Sequence, residues 1–179
     1  LGGGMPVAAV AGRAEIMAEA GRATGPRVAF SGGTYSAHPS SMLAAKVFLE
    51  HLAGHESEIY PKLGTLGEAM RTGCEAAFAE AGILARCTGA VDEIDCGSSM
   101  VTVHFPHDQR VSLDTPEAVF DPDRCDIELR EKVFGLALLV EDVHLILAHG
   151  AASTAHTDED VAFLTDACRR AAARIARQR

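Results

Sequence analysis

Apolar positions change their spacing along this chain, and each change predicts an element. Between Ser57 and Ala81, the residues Leu63, Leu66, Met70, Cys74, Ala77 and Phe78 recur at helical intervals, which predicts one long helix with an apolar stripe. Gly82 follows where left-handed backbone commonly ends a helix. From Ser98 to Phe105 the period drops to two. Val101, Val103 and Phe105 alternate with Thr102 and His104, the pattern of a half-buried strand. Ile83 to Cys87 and Val143 to Ala148 predict two further short strands. Helical spacing returns over Asp126 to Val140, with Ile127, Val133, Phe134, Ala137 and Val140 on the predicted inner face. It returns again from Asp158 to about Arg177, where Val161, Leu164, Cys168, Ala171 and Ile175 are expected to be buried. Thr157 to Asp160 resembles a capping box, with Asp in place of the usual Glu. Pro106 to Asp123 reads as a polar connection containing three prolines.

The first fifty residues follow a different pattern. Met5 to Val10 predicts a short buried strand leaving three glycines, Gly2-Gly3-Gly4. Ala14 to Ala20 predicts a helical turn or two, and Gly21 to Gly33 a loop. Pro39 suits the first turn of a helix that runs to about Leu52, with Ser36 or His38 near its cap and Gly54 breaking the pattern. The Met5–Val10 strand has no partner nearby in sequence. Backbone amides need partners, so its neighbours are expected in preceding sequence or in another chain. There is no internal repeat and no low-complexity tract. Helix and strand alternate from the middle to the end, which predicts an α/β layer.

Composition narrows the function classes. A formal net charge of -9 argues against nucleic acid as a partner, since nothing forms a basic stripe. Arg169, Arg170, Arg174, Arg177 and Arg179 fit instead as cations in the last turns of a helix. The five cysteines, Cys74, Cys87, Cys96, Cys125 and Cys168, are odd in number and include no CxxC pair. Free thiols in a reducing compartment are expected, with no metal site. No apolar run reaches membrane-spanning length and no signal peptide is visible, so a cytoplasmic, non-membrane protein is expected. The eight histidines, His104 among them, read as ordinary polar positions. Ser153 lacks the Gly-x-Ser-x-Gly elbow of a hydrolase nucleophile.

Ser31-Gly32-Gly33-Thr34-Tyr35-Ser36-Ala37-His38-Pro39 carries more chemistry. Glycine exposes backbone N–H groups, Thr34 adds a hydroxyl, and a helix N-terminus follows. These are the parts of an anion or phosphate site, and equally of a plain turn.

Taken together, Gly-Gly-Gly-Met-Pro-Val and Gly-Gly-Thr-Tyr-Ser-Ala-His-Pro resemble the class III pyridoxal-phosphate-dependent aminotransferases, most of all glutamate-1-semialdehyde 2,1-aminomutase and its near relatives. Ser153 to Val161 (Ser-Thr-Ala-His-Thr-Asp-Glu-Asp-Val) resembles that group's entry to the last helix. The resemblance spans the chain but only the C-terminal portion of the family. It implies a fold type I transferase, α/β, with residues 1–50 ending the large cofactor-binding domain and residues 51–179 forming the small domain. It implies pyridoxal 5'-phosphate as cofactor and a small-molecule amino donor and acceptor. In a homodimer, the Gly33 N–H and Thr34 would reach the phosphate from the neighbouring subunit. The family's Schiff-base lysine would stand two residues before Leu1, beside Gly2 to Gly4, so the chain alone is expected to be inert. Family chemistry moves an amino group through a cofactor imine with that lysine as covalent partner. Lys46, Lys62 and Lys132 fall in predicted helices among polar neighbours, unlike a desolvated reactive lysine.

Two positions depart from the family pattern. His38 stands where Asn is frequent, and Leu145 to Ala152 is shorter than the gate region and has no acidic residue. A general aminotransferase therefore stands beside the aminomutase. A non-catalytic dimerisation module and a phosphate-binding protein of another fold are the other readings.

Overall fold

The computed structural model describes residues 2–21, 33–90 and 96–178. Most of the predicted Gly21–Gly33 loop, with Ser31 and Gly32 of the glycine motif, lies outside them. Contacts group the chain into two compact units, Leu1–Glu56 and Ser57–Arg179.

In the first unit, Ala14–Met17 forms one helical turn (α1), extended by a 3-10 turn over Ala18–Gly21. A second helix, α2, covers Pro39–Gly54, with Pro39 in its first turn as the sequence requires. His38 is its N-cap but makes no side-chain capping bond. Only Ser41 and Ala45 of α2 are buried. Leu43 is 63% exposed and Val47 58%, and Met42 and Leu49 are also exposed. An apolar helix with so little buried stripe presents a face that aqueous solvent disfavours. Met5–Val10 is not the buried strand expected. It is largely exposed, and no strand pairs with it among the described residues. An unpaired strand cannot satisfy its own backbone, so apolar content alone does not make one.

The second unit is an α/β layer. Helix α3, Glu56–Glu80, buries Leu66, Met70, Cys74, Ala77 and Phe78 as the spacing predicts, while Leu63 is half-buried. Gly82, at φ 72°, ends this run. Gly67 on the helix lets the backbone of Ser98 and Ser99 pass so closely that a Cβ there would meet the Ser98 carbonyl oxygen at 2.1 Å. Buried Arg71 then fastens the same segment. Its guanidinium donates to the carbonyls of Ser98 and Met100 and to the Glu68 carboxylate.

Three strands, β1 (Arg86–Thr88), β2 (Met100–His104) and β3 (His149–Ala151), form an antiparallel sheet in that order. Register pairs Arg86 with His104, and Met100 with Ala151. The expected strand over Ile83–Cys87 starts only at Arg86, where the partner strand β2 ends at His104. The strand expected over Val143–Ala148 is displaced to His149–Ala151. Leu147 and Ala148 adopt positive φ, 50° and 62°, which cannot continue extended backbone. Inside the Pro106–Asp123 connection, Thr115 caps a short helix, α4 (Pro116–Val119).

The helix expected over Asp126–Val140 carries a π-helical stretch, Leu129–Phe134, before α5, Gly135–Leu139. A π turn spends an extra residue, which rotates the face that follows. Leu129, Arg130, Phe134, Ala137 and Leu138 are therefore buried, while Val133 and Val140, expected inside, are exposed. The last helix, α6 (Asp158–Ala176), begins at a capping box in which Thr157 and Asp160 bond each other's backbone. It buries Val161, Ala167, Cys168, Ala171, Ala172 and Ile175, with Leu164 only partly covered.

Phe78, Phe105 and Phe134 meet edge to face at the centre of the core, with centroids 5.0 to 5.5 Å apart. Arg170 and Arg174 of α6 both bind Glu141, and Arg169 binds Glu80. No described helix is long and apolar enough to cross a membrane.

Candidate functional site

The three glycines make a turn rather than a strand entry. The Met5 N–H donates to the Gly2 carbonyl at 2.9 Å, and Gly3 and Gly4 both have positive φ, 54° and 96°. Two consecutive positive φ values are the signature of a type I′ turn, which glycine adopts without steric cost. Gly2 is buried, and a Cβ there would come within 2.5 Å of the Met5 carbonyl oxygen and of the Val7 side chain.

Gly33 to Ala37 forms a second turn leading into α2. The Ser36 N–H donates to the Gly33 carbonyl at 3.0 Å, and the His38 N–H to the Tyr35 carbonyl at 3.1 Å. Ala37 holds a left-handed conformation, φ 53°, which costs a non-glycine residue about 1 kcal/mol. The two motif segments meet. Pro6, Val7, Ala8 and Val10 line one cleft of about 680 Å3 together with Gly33 to Ala37 and Met42.

The donor chemistry at this cleft fits a phosphate-bearing cofactor. The Thr34 hydroxyl is exposed and has no hydrogen-bond partner among the described residues. The first turn of α2 carries no acidic residue, so nothing there repels an anion from the positive end of the helix. His38 points to its own element: Ser41 Oγ lies 3.4 Å from its Nδ1, and Tyr35 packs edge-on to its ring.

None of the three lysines occupies an environment suited to covalent chemistry. All three are exposed. Lys46 pairs with Glu50, Lys132 with Glu128, and Lys62 donates to the Thr154 carbonyl at 2.8 Å. Groups of three or more His, Cys, Asp or Glu that could hold a metal ion are absent among the described residues. Ser153 Oγ lies 2.9 Å from His156 Nδ1, which also accepts the Ser153 N–H, so this pair closes a local turn before α6.

The sequence pattern gave no warning of one polar cluster. His104 is 4% exposed, on the side of β2 opposite Val101 and Val103. Its Nδ1 faces Arg130 Nη1 at 3.2 Å, and its Nε2 faces Thr88 Oγ1 at 2.9 Å. Arginine can only donate, so Nδ1 must accept, and the neutral ring donates from Nε2 to Thr88. Burial, followed by the positive charges of Arg130 and Arg86, pushes the imidazole down to about 4. Arg130 is equally buried. It also donates to the Val119 carbonyl and the Glu131 carboxylate, with the Phe120 ring 4.4 Å from its guanidinium carbon. A residue alternating with apolar neighbours looks solvent-facing in sequence. Here Arg130, arriving from a distant helix, covers it.

Solved structures share this architecture. An omega-transaminase from Sphaerobacter thermophilus superposes with a TM-score of 0.70 at 30% identity, covering 98% of this chain and 37% of that one. A second transaminase, solved with PLP bound, shares the fold at a TM-score of 0.64 and 23% identity. The architecture is therefore that of part of a fold type I transaminase.

Sequence relatives are more particular. A glutamate-1-semialdehyde 2,1-aminomutase of Thermomicrobium roseum is 30% identical over 180 residues, covering 99% of this chain. One of Anaeromyxobacter dehalogenans is 32% identical over 188 residues, and one of Thermus thermophilus 35% over 164. No family profile matches the chain. The chain spans little more than a third of the length of these relatives, 34 to 37%. It is a homologue of the C-terminal part of the pyridoxal-phosphate-dependent aminotransferases and aminomutases.

Proposed function

We propose that this chain is the C-terminal part of a pyridoxal-phosphate-dependent aminotransferase or aminomutase that moves an amino group on a small molecule. Residues 1–50 would complete the large domain and residues 51–179 form the small one. The observation that carries the reading is the shared cleft of the two motif segments, Pro6 to Val10 and Gly33 to Ala37. Within it, the Gly33 N–H and the Thr34 hydroxyl would hold the cofactor phosphate of the neighbouring subunit in a homodimer. Bound there, the cofactor would supply the electron sink for breaking bonds at the amino-bearing carbon. The chain's own contribution is anchorage: neutral donors and a helix N-terminus fix the phosphate without a titrating group. The exposed apolar face of α2 fits coverage by the large domain or the partner subunit. The covalent lysine would come from preceding sequence, leaving the chain alone inert.

The coding sequence upstream of Leu1 tests this directly. An in-frame lysine codon is expected two codons before Leu1, within a long preceding frame. A start codon immediately upstream would favour a non-catalytic dimerisation module instead. In the whole protein, Thr34→Ala should weaken pyridoxal 5'-phosphate binding about tenfold, the cost of one hydrogen bond to a charged group. It should leave the binding of unphosphorylated pyridoxal unchanged. Equal losses for both ligands, or no loss, would overturn the phosphate role. Amino transfer by the isolated chain would overturn its inertness.

A further inference from the structure

Cys74 on α3 and Cys168 on α6 lie 94 residues apart in sequence, yet their sulfurs are 3.5 Å apart. They are 2% and 0% exposed. The helices approach closely beside them. A Cβ on Gly73 would stand 2.3 Å from Thr165 Oγ1, and further along Arg169 pairs with Glu80. Two thiols at this separation need approach each other by only about 1.5 Å to reach the ~2.05 Å of a disulfide.

The two thiols differ in access. Cys74 lines a cavity of about 460 Å3 bordered by apolar Met70, Val103 and Phe163 and by polar Asp142, His149 and Asp160, and Cys168 is not part of that lining. The hydrogen bond to Cys74, followed by burial, raises the Cys168 thiol well above its ordinary range. Cys168 is therefore held as a neutral thiol, shielded from solution, and its contribution is its fixed position against the Cys74 sulfur.

We infer that Cys74 and Cys168 form a peroxide-oxidisable dithiol that closes into a disulfide tying α3 to α6. Hydrogen peroxide, small and uncharged, is an oxidant that a cavity of this size, lined by both polar and apolar side chains, admits. The Cys74 sulfur attacks one peroxide oxygen and the O–O bond breaks. The sulfur becomes a sulfenic acid, and the departing hydroxide takes the thiol proton and leaves as water. The Cys168 sulfur then attacks the sulfenyl sulfur, the S–O bond breaks, and a second water carries away the Cys168 proton. Overall, two thiols are oxidised to one disulfide while one peroxide is reduced to two waters.

Peptide mapping without reductant, after treating the folded chain with hydrogen peroxide, tests the pair. The expected product links the Cys74 and Cys168 peptides, is lighter by two hydrogens, and lowers titratable thiols from five to three. Dithiothreitol should reverse both changes, and the oxidised chain should melt at a higher temperature than the reduced one. Cys168→Ser should abolish the linked peptide and leave sulfenic acid, trappable by dimedone, at Cys74. If Cys168→Ser fails to fold, mapping of the unaltered chain decides alone. Recovery of both thiols intact would overturn the inference. So would linkage of either cysteine to Cys87, Cys96 or Cys125 instead, or formation of the pair only in unfolded chain.

Discussion

His104 offers a quantitative test of the packing around β2. Replacing it by Gln keeps a donor and an acceptor within reach of Thr88 and Arg130 but removes the titrating ring. In the folded chain the imidazole titrates near 4, against 6.5 for an unperturbed histidine. The unfolded chain therefore binds this proton first as pH falls. Stability attributable to His104 is complete above about pH 6.5, declines below it, and is lost once pH passes the folded value near 4. Linkage over that window amounts to about 3 kcal/mol, of which about 2 kcal/mol falls between pH 8 and pH 5. The cause is visible in the contacts. A protonated ring would turn an N–H toward Arg130 Nη1, which itself can only donate, and Arg86 adds a second positive charge from β1. Urea unfolding of the natural chain and of His104→Gln, followed by circular dichroism at both pH values, isolates the effect. The natural chain should lose about 2 kcal/mol more than the variant between them. An equal loss in both proteins would refute the neutral, Arg130-capped histidine.

Two further substitutions test the frame around the sheet. Gly67→Ala places a Cβ 2.1 Å from the Ser98 carbonyl oxygen, so α3 and the segment entering β2 must separate. A loss of about 2 kcal/mol or more is expected in the urea midpoint, with overpacking as the cause. Thr157→Ala removes the N-cap of α6 and should cost about 1 kcal/mol, read as a lower melting temperature.

How much of this was legible beforehand depended on range. Helix α3 and helix α6 are readable because their apolar periodicity and caps are local, and the three motifs point to the transaminase family by themselves. Met5 to Val10 misled because a strand is a property of a pair. Its apolar content is plain in sequence, but its partner is not. Val133 and Val140 misled because a π-helical insertion rotates the face, and no spacing rule announces where a helix takes up the extra residue.

Contiguous residues and short-range backbone preferences are enough to specify the long helices, the middle strand and the family. Tertiary structure alone decided what those elements bring together. It placed Pro6 to Val10 in one cleft with Gly33 to Ala37, buried His104 under Arg130, and set Cys74 against Cys168. The physical reason is that burial and juxtaposition depend on which distant segment packs against a residue, and that choice is made by the summed packing of the whole core.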